Sequence, residues 1–140
     1  MKLKDIISII EDWAPIENAE DFDNVGLIVG DADQNVKKAI ITIDSLEIVV
    51  DEAIENNCDV IISFHPIIFN GLKKISQDSY VERVVRKVIK NDICIYCIHT
   101  NLDNHFNGVN HMISKKLNLK ETEFLIPKKE SKIGMGMIGK

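Results

Sequence analysis

No stretch of this sequence stays apolar for the roughly twenty residues that a bilayer-spanning helix takes. No secretory leader is expected, because Met1 opens an amphipathic pattern with Lys2, Lys4 and Asp5 in its first turn. The expectation is therefore a cytoplasmic protein without a membrane partner. Cysteine is sparse: three residues, an odd number, imply no disulfide framework. A basic surplus is missing as well, with 17 Lys and Arg against 22 Asp and Glu for a net charge of −5. Without a basic stripe interleaved with aromatics, nucleic acid is not an expected partner. Internal repeats and linkers are absent too. The 140 residues are thus expected to form a single α/β domain over 1–140, long enough to bury a sizeable core.

What is present is ordinary in amount, 45% apolar and 28% charged, but unevenly placed. Residues 1–64 hold 4 basic and 15 acidic side chains, a balance of −11, and residues 65–140 hold 13 and 7, a balance of +6. The simplest expectation is that the two halves face each other, within one subunit or between subunits.

Leu3, Ile6, Ile7, Ile10 and Trp13 recur at helical spacing, so a helix is expected over 2–13, stopped before Pro15. Glu17 to Asp23 reads as loop, and Asp23-Asn-Val-Gly-Leu-Ile-Val-Gly30 as a turn followed by a short strand. From residue 38 the pattern becomes βαβαβα, with strands expected at 39–43, 59–64 and 93–98. Ser45 is the expected cap of a helix carrying Leu46, Val49, Val50, Ala53 and Ile54 inward. Ser79 and Glu82 have capping-box spacing before Val81, Val84, Val85, Val88 and Ile89. Asn107 is the expected cap of a last helix with Val109, Met112, Ile113 and Leu117 inward, and 122–126 reads as a further strand. Residues 128–140 read as an incomplete element.

Strands joined by crossover helices pair in parallel, with all their carboxyl ends on one edge. Ligands of open α/β sheets bind at that edge. Three separate places in the sequence converge there: Asp44, then His65 after the strand Val60 to Ser63, then His99 with Asp103. Pro66 forces the backbone to turn directly after His65. An imidazole nitrogen and a carboxylate oxygen suit Zn²⁺, Mn²⁺ or Fe²⁺ rather than a calcium cage. Two ligands are fewer than the three of a catalytic zinc site. His99 then stands as a third ligand, a proton carrier, or a partner that orients the carboxylate. Asp44 stands as an acid behind the ligands or as a helix cap.

Two textual motifs fail on context. Cys94-Ile-Tyr-Cys97 lies in a strand, where three residues advance about 10 Å, whereas a disulfide needs Cα atoms within about 7 Å. These cysteines are expected to be core. Gly134-x-Gly136-x-x-Gly139 has no strand–turn–helix unit around it and is no dinucleotide fingerprint. His105 and His111 read as exposed loop and helix residues.

Asp23-Asn-Val-Gly-Leu-Ile-Val-Gly30, Phe64-His-Pro-Ile-Ile-Phe69 and His99-Thr-Asn-Leu-Asp-Asn-x-x-x-Gly-Val-Asn110 resemble the GTP cyclohydrolase I type 2 homologue family. Its members are also called NIF-three-like or dinuclear-metal-centre hexameric proteins. The resemblance runs over essentially the whole chain and covers the amino-terminal half of a family member. It implies an α/β fold, mostly parallel or mixed in its sheet with helices packed on it, lacking the carboxyl-terminal half and assembled as a toroidal hexamer. It also implies two divalent metals, bridged by a glutamate from the carboxyl-terminal segment, and hydrolytic opening of a guanine-like ring. In the family two adjacent histidines open the site. The second matches His65 and the family's aspartate matches Asp103, both at the first metal. The first histidine is replaced by Phe64, whose ring cannot coordinate.

The resemblance thus leaves a partial mononuclear site, and the chain alone is expected to be inactive. Two readings follow from it. One is a metal-dependent hydrolase of a nucleotide-like substrate. The other is a non-catalytic oligomeric scaffold with a degenerate metal site.

Overall fold

The centre of the sheet is β4 (Cys94–Cys97), every residue of which is buried. In a computed structural model that describes residues 1–128 and 133–140, it lies between β3 (Val60–Ser63) and β1 (Gly26–Val29). With β2 (Ala39–Thr42) outermost, the strand order is β1-β4-β3-β2. Apolar runs, Val60-Ile-Ile62 in β3 and Cys94-Ile-Tyr-Cys97 in β4, place these strands where both faces are covered. The expected parallel pairings of β2 with β3 and β3 with β4 are present. Their register aligns Thr42 with Ser63 and Ser63 with Cys97, so the three strands end level. β1 runs antiparallel, with Gly26 opposite Cys97. Its amino end therefore reaches the edge at which the other three strands finish. Gly26 adopts φ 95°, a left-handed conformation open to glycine, as the chain turns into β1.

Helices α2 (Glu47–Glu55) and α3 (Tyr80–Lys90) cover one face. Val50, Ala53, Val84, Val85 and Val88 pack there on Ile61, Ile93 and Ile95. Helix α1 (Leu3–Trp13) lies on the other face, where Leu3, Ile6 and Ile7 meet Val60, Cys94 and Ile62. The three cysteines are free and buried, in keeping with a core role. Past β4 the chain forms the short helix α4 (Thr100–Asp103), α5 (Val109–Lys116) and an antiparallel pair, β5 (Glu123–Pro127) with β6 (Gly134–Ile138). β6 thus occupies part of the segment read as an incomplete element.

Local expectations changed where tertiary contacts compete with capping. The residue that caps α2 is Leu46, without a side-chain bond, while the Ser45 hydroxyl is buried and unpartnered. α5 starts from Gly108 rather than Asn107, because a Cβ at 108 would stand 1.8 Å from the Leu102 carbonyl oxygen. Met112, Ile113 and Leu117 are exposed, and Ser114 is the buried residue of α5. Within the segment read as loop, Ile16–Asn18 forms a turn of 3₁₀ helix. Ser79 does cap α3 by accepting the Glu82 N–H at 3.2 Å. The Glu82 carboxylate does not return to Ser79; it accepts from Ser76 and Asp78. His105 is half-buried and bridges to Ile133.

The apolar faces are incompletely covered. β2 is an edge strand, and its Ile41 is 80% exposed. Ile41, Ile43 and Phe64 face Ile9, Trp13 and Leu102 across a groove of about 650 Å³. Among the described residues, no helix is long and apolar enough to cross a membrane. An unpaired edge beside uncovered apolar side chains promotes association in water. The chain is predicted to self-associate with concentration in sedimentation experiments, and Ile41→Lys to shift it toward monomer without loss of secondary structure. A monomeric parent that binds no hydrophobic dye would contradict this.

Candidate functional site

Level strand ends place Asp44, His65 and His99 on one rim. The ladder runs on past β3: the Phe64 N–H donates to Thr42 at 3.1 Å and the His65 N–H to Ile43 at 2.9 Å. The Ser63 hydroxyl donates to the His65 carbonyl at 3.1 Å, and the Cys97 thiol to the Phe64 carbonyl at 3.0 Å. The backbone that carries His65 is therefore fixed on both sides. Its ring Nδ1 lies 2.7 Å from Asp44 Oδ1, and both side chains are 50% exposed. Asp44 is thus the orienting partner of His65 and not the cap of α2.

His99 opens α4, with its N–H donating to Asn101 Oδ1 at 2.9 Å. Its Nδ1 lies 2.9 Å from Asp23 Oδ1; His99 is 19% exposed and Asp23 is fully buried. Asp23 also accepts the Asn24 N–H at 2.8 Å, the Thr100 N–H at 3.0 Å and the Thr100 hydroxyl. Burial alone would raise the Asp23 carboxyl, but bonds from Thr100, His99 and Asn24 hold it below the ordinary aspartate range. Asn24 reaches the other way, its amide donating to the Ile68 carbonyl at 2.5 Å. In the sequence Asp23 stands in a turn and opens the first motif of the family resemblance, with no role in the site. Its signal would have been an antiparallel β1, which the local pattern does not encode.

The His65 and His99 rings meet edge to face, with centroids 5.5 Å apart. Phe64 sits 5.2 Å from His65 and 5.3 Å from His99. Asp103, one turn along α4, is half-buried, and its carboxylate accepts no hydrogen bond among the described residues. Burial raises its pKa above the usual range, with Asp23 acting in the same direction and His99 and His65 opposing. His99 does not bond Asp103, so it does not orient that carboxylate.

Each imidazole has a carboxylate at Nδ1 and no hydrogen bond at Nε2 among the described residues. Carboxylate–imidazole pairs of this kind present the second nitrogen to a metal or a proton. Two such nitrogens and one unpaired carboxylate fit a divalent cation of the zinc, manganese or iron class in kind. They fall short in arrangement: among the described residues no three His, Cys, Asp or Glu side chains stand close enough to share one ion. A closed coordination shell would need further donors.

Residues 1–140 match the family described as Duf34/NIF3 (NGG1p interacting factor 3), and the chain belongs to it. It is 43% identical to the GTP cyclohydrolase 1 type 2 homolog of Clostridium acetobutylicum over 125 residues, 89% of this chain and 47% of that one. The homolog of that name in Bacillus subtilis is 43% identical over 87% of this chain and 33% of its own length. Among solved structures, a Bacillus cereus protein related to NIF3 superposes with a TM-score of 0.86 at 41% identity, covering 91% of this chain and 36% of that one. Reduced HcgD from Methanocaldococcus jannaschii gives 0.83 at 33% identity, over 89% and 50%. The chain thus spans about a third to a half of the length of these relatives.

A carboxylate held ionised against burial costs stability at neutral pH. Because the folded pKa of Asp103 lies above its unfolded value, its contribution favours folding below the unfolded pKa and is lost as pH rises through the folded one. Asp103→Asn is therefore predicted to be more stable than the parent at pH 7 in chemical denaturation. The gap should close as pH falls toward the aspartate range, where the parent carries the proton. A variant less stable than the parent at pH 7 would contradict this.

Proposed function

We propose that this rim is the amino-terminal share of a metal-dependent hydrolase site acting on a nucleotide-like heterocycle. The observation that carries the reading is the placement at one sheet edge of two Nδ1-anchored imidazoles and a carboxylate that, among the described residues, is unpaired. Family membership and the names of the longer relatives support it. His65 and Asp103 would hold the cation, with donors from outside residues 1–140 completing its shell. When bound, such a cation supplies a water of lowered pKa, ready for hydrolysis.

The chain's own residues do the rest. Asp44 fixes the ring plane of His65. His99, with Nε2 unpartnered, takes the proton released by the attacking water. Phe64 walls the site with a ring where the family pattern puts a second imidazole, which keeps this half mononuclear. By family resemblance the working assembly is a hexamer. Phe64 also favours a second reading, a non-catalytic oligomeric scaffold, since one ligand position is filled by a side chain that cannot coordinate.

Calorimetric titration with Mn²⁺ or Zn²⁺ tests this. The 140-residue chain is expected to bind weakly, and more weakly still as pH falls, because metal ligands must be deprotonated. His65→Ala and Asp103→Asn should each reduce the affinity by roughly tenfold or more. In a form extended to the relatives' length, Phe64→His should tighten binding and add a second equivalent. Unchanged binding in His65→Ala would remove the metal reading. An extended form that binds metal but hydrolyses no nucleotide would favour the scaffold.

A further inference from the structure

Asp23 is more heavily engaged than a turn residue requires. Its carboxylate has no solvent exposure, and its two oxygens accept from the Asn24 N–H, the His99 ring, the Thr100 N–H and the Thr100 hydroxyl. Two of these donors are backbone N–H groups that cannot be turned into acceptors. They force the carboxylate to remain a pure acceptor, so in the neutral ring the proton of His99 must sit on Nδ1. The lone pair then lies on Nε2, which has no partner among the described residues and stands beside His65 and Asp103. Asn24 extends the same link, because its amide holds the Ile68 carbonyl in the turn that follows His65. One dipeptide thus fastens the start of α4, which carries His99 and Asp103, to the turn after the strand that carries His65.

We propose that Asp23 is the positioning residue of the site: it fixes His99 as the Nδ1–H tautomer and aims Nε2 as the proton acceptor, while Asn24 sets its distance from His65. This rests on the proton-accepting role given to His99 in the functional reading above. It does not depend on whether the chain binds metal. Thr100 acts differently. Its hydroxyl can rotate, so it satisfies Asp23 without dictating the tautomer.

The amide analogue discriminates. In Asp23→Asn, either orientation of the amide sets an NH₂ against a fixed backbone N–H, from Asn24 on one side or Thr100 on the other. If the NH₂ takes the Oδ1 place, it also donates to His99 Nδ1 and drives the proton to Nε2.

The experiment is two-bond ¹⁵N–¹H correlation of the histidine rings in the metal-free chain at alkaline pH. In the parent, His99 is expected as the Nδ1–H tautomer by roughly tenfold or more, the size of preference a charge-assisted hydrogen bond provides. In Asp23→Asn the Nδ1–H preference should fall by several-fold in either amide orientation, because the carboxylate charge is gone, and it should reverse if the NH₂ takes the Oδ1 place. In Thr100→Val, which removes one bond to Asp23 but leaves the Asp23–His99 contact, the preference should persist.

A parent spectrum dominated by Nε2–H, or an Asp23→Asn spectrum unchanged from the parent, would overturn the proposal. Should Asp23→Asn fail to fold, the parent and Thr100→Val spectra still decide it. Because no metal is present, failure here is separate from failure of the metal titration. The first removes Asp23's role, and the second removes the ligand reading of His65 and Asp103.

Discussion

Burying the charge of Asp23 is tolerable only because four donors converge on its two oxygens. A carboxylate so satisfied is costly to disturb, since removing it leaves several donors unpaired in the interior. β1 is antiparallel to β4 and so brings its leading turn to the place where β4 ends. Asp23 then joins that turn to α4. As a single turn of four residues, α4 is too short to hold His99 and Asp103 in place by its own hydrogen bonds. Asp23 fixes its start, and the buried amides of Asn101 and Asn104 tie it to the Ala14 and Asn18 carbonyls.

The two histidines are held to different degrees. His99 is tied to a buried carboxylate in the folded core of the rim, whereas His65 pairs with the half-exposed Asp44 at the edge of the sheet. Exposed pairs of that kind contribute little to stability. Asp44 therefore matters for the direction of the His65 ring more than for the fold. Asp103 presents the opposite case, a half-buried carboxylate with no hydrogen-bond partner among the described residues, raised in pKa by burial. Perturbed acids of this kind gather at functional sites more often than elsewhere.

Beside the rim lies the apolar groove between α1 and the edge strand β2, and Phe64 belongs to both. The chain spans a third to a half of its relatives' length, and the groove opens on the face of the sheet opposite α2 and α3. Phe64 extends the apolar wall up to the histidines and makes the rim continuous with an uncovered hydrophobic surface.

Much of the architecture was legible from periodicity alone. Val60 to Ser63 and Cys94 to Cys97 read as buried strands because β-branched and apolar runs bounded by turns admit few other structures. Two crossover units then bring Asp44, His65 and His99 to one edge, by topology rather than by any local motif. The sequence could not reveal the direction of β1, because Gly26 to Val29 looks the same in a parallel or an antiparallel sheet. Strand direction is decided by which neighbour the strand meets, and that contact links residues more than 60 positions apart. With that direction came the placement of Asp23 beside His99, while the parallel pairing of β2 with β3 brought Asp44 to His65 and decided between its two expected roles. Chain-local patterns determined which residues could serve; long-range pairing decided which of them touch.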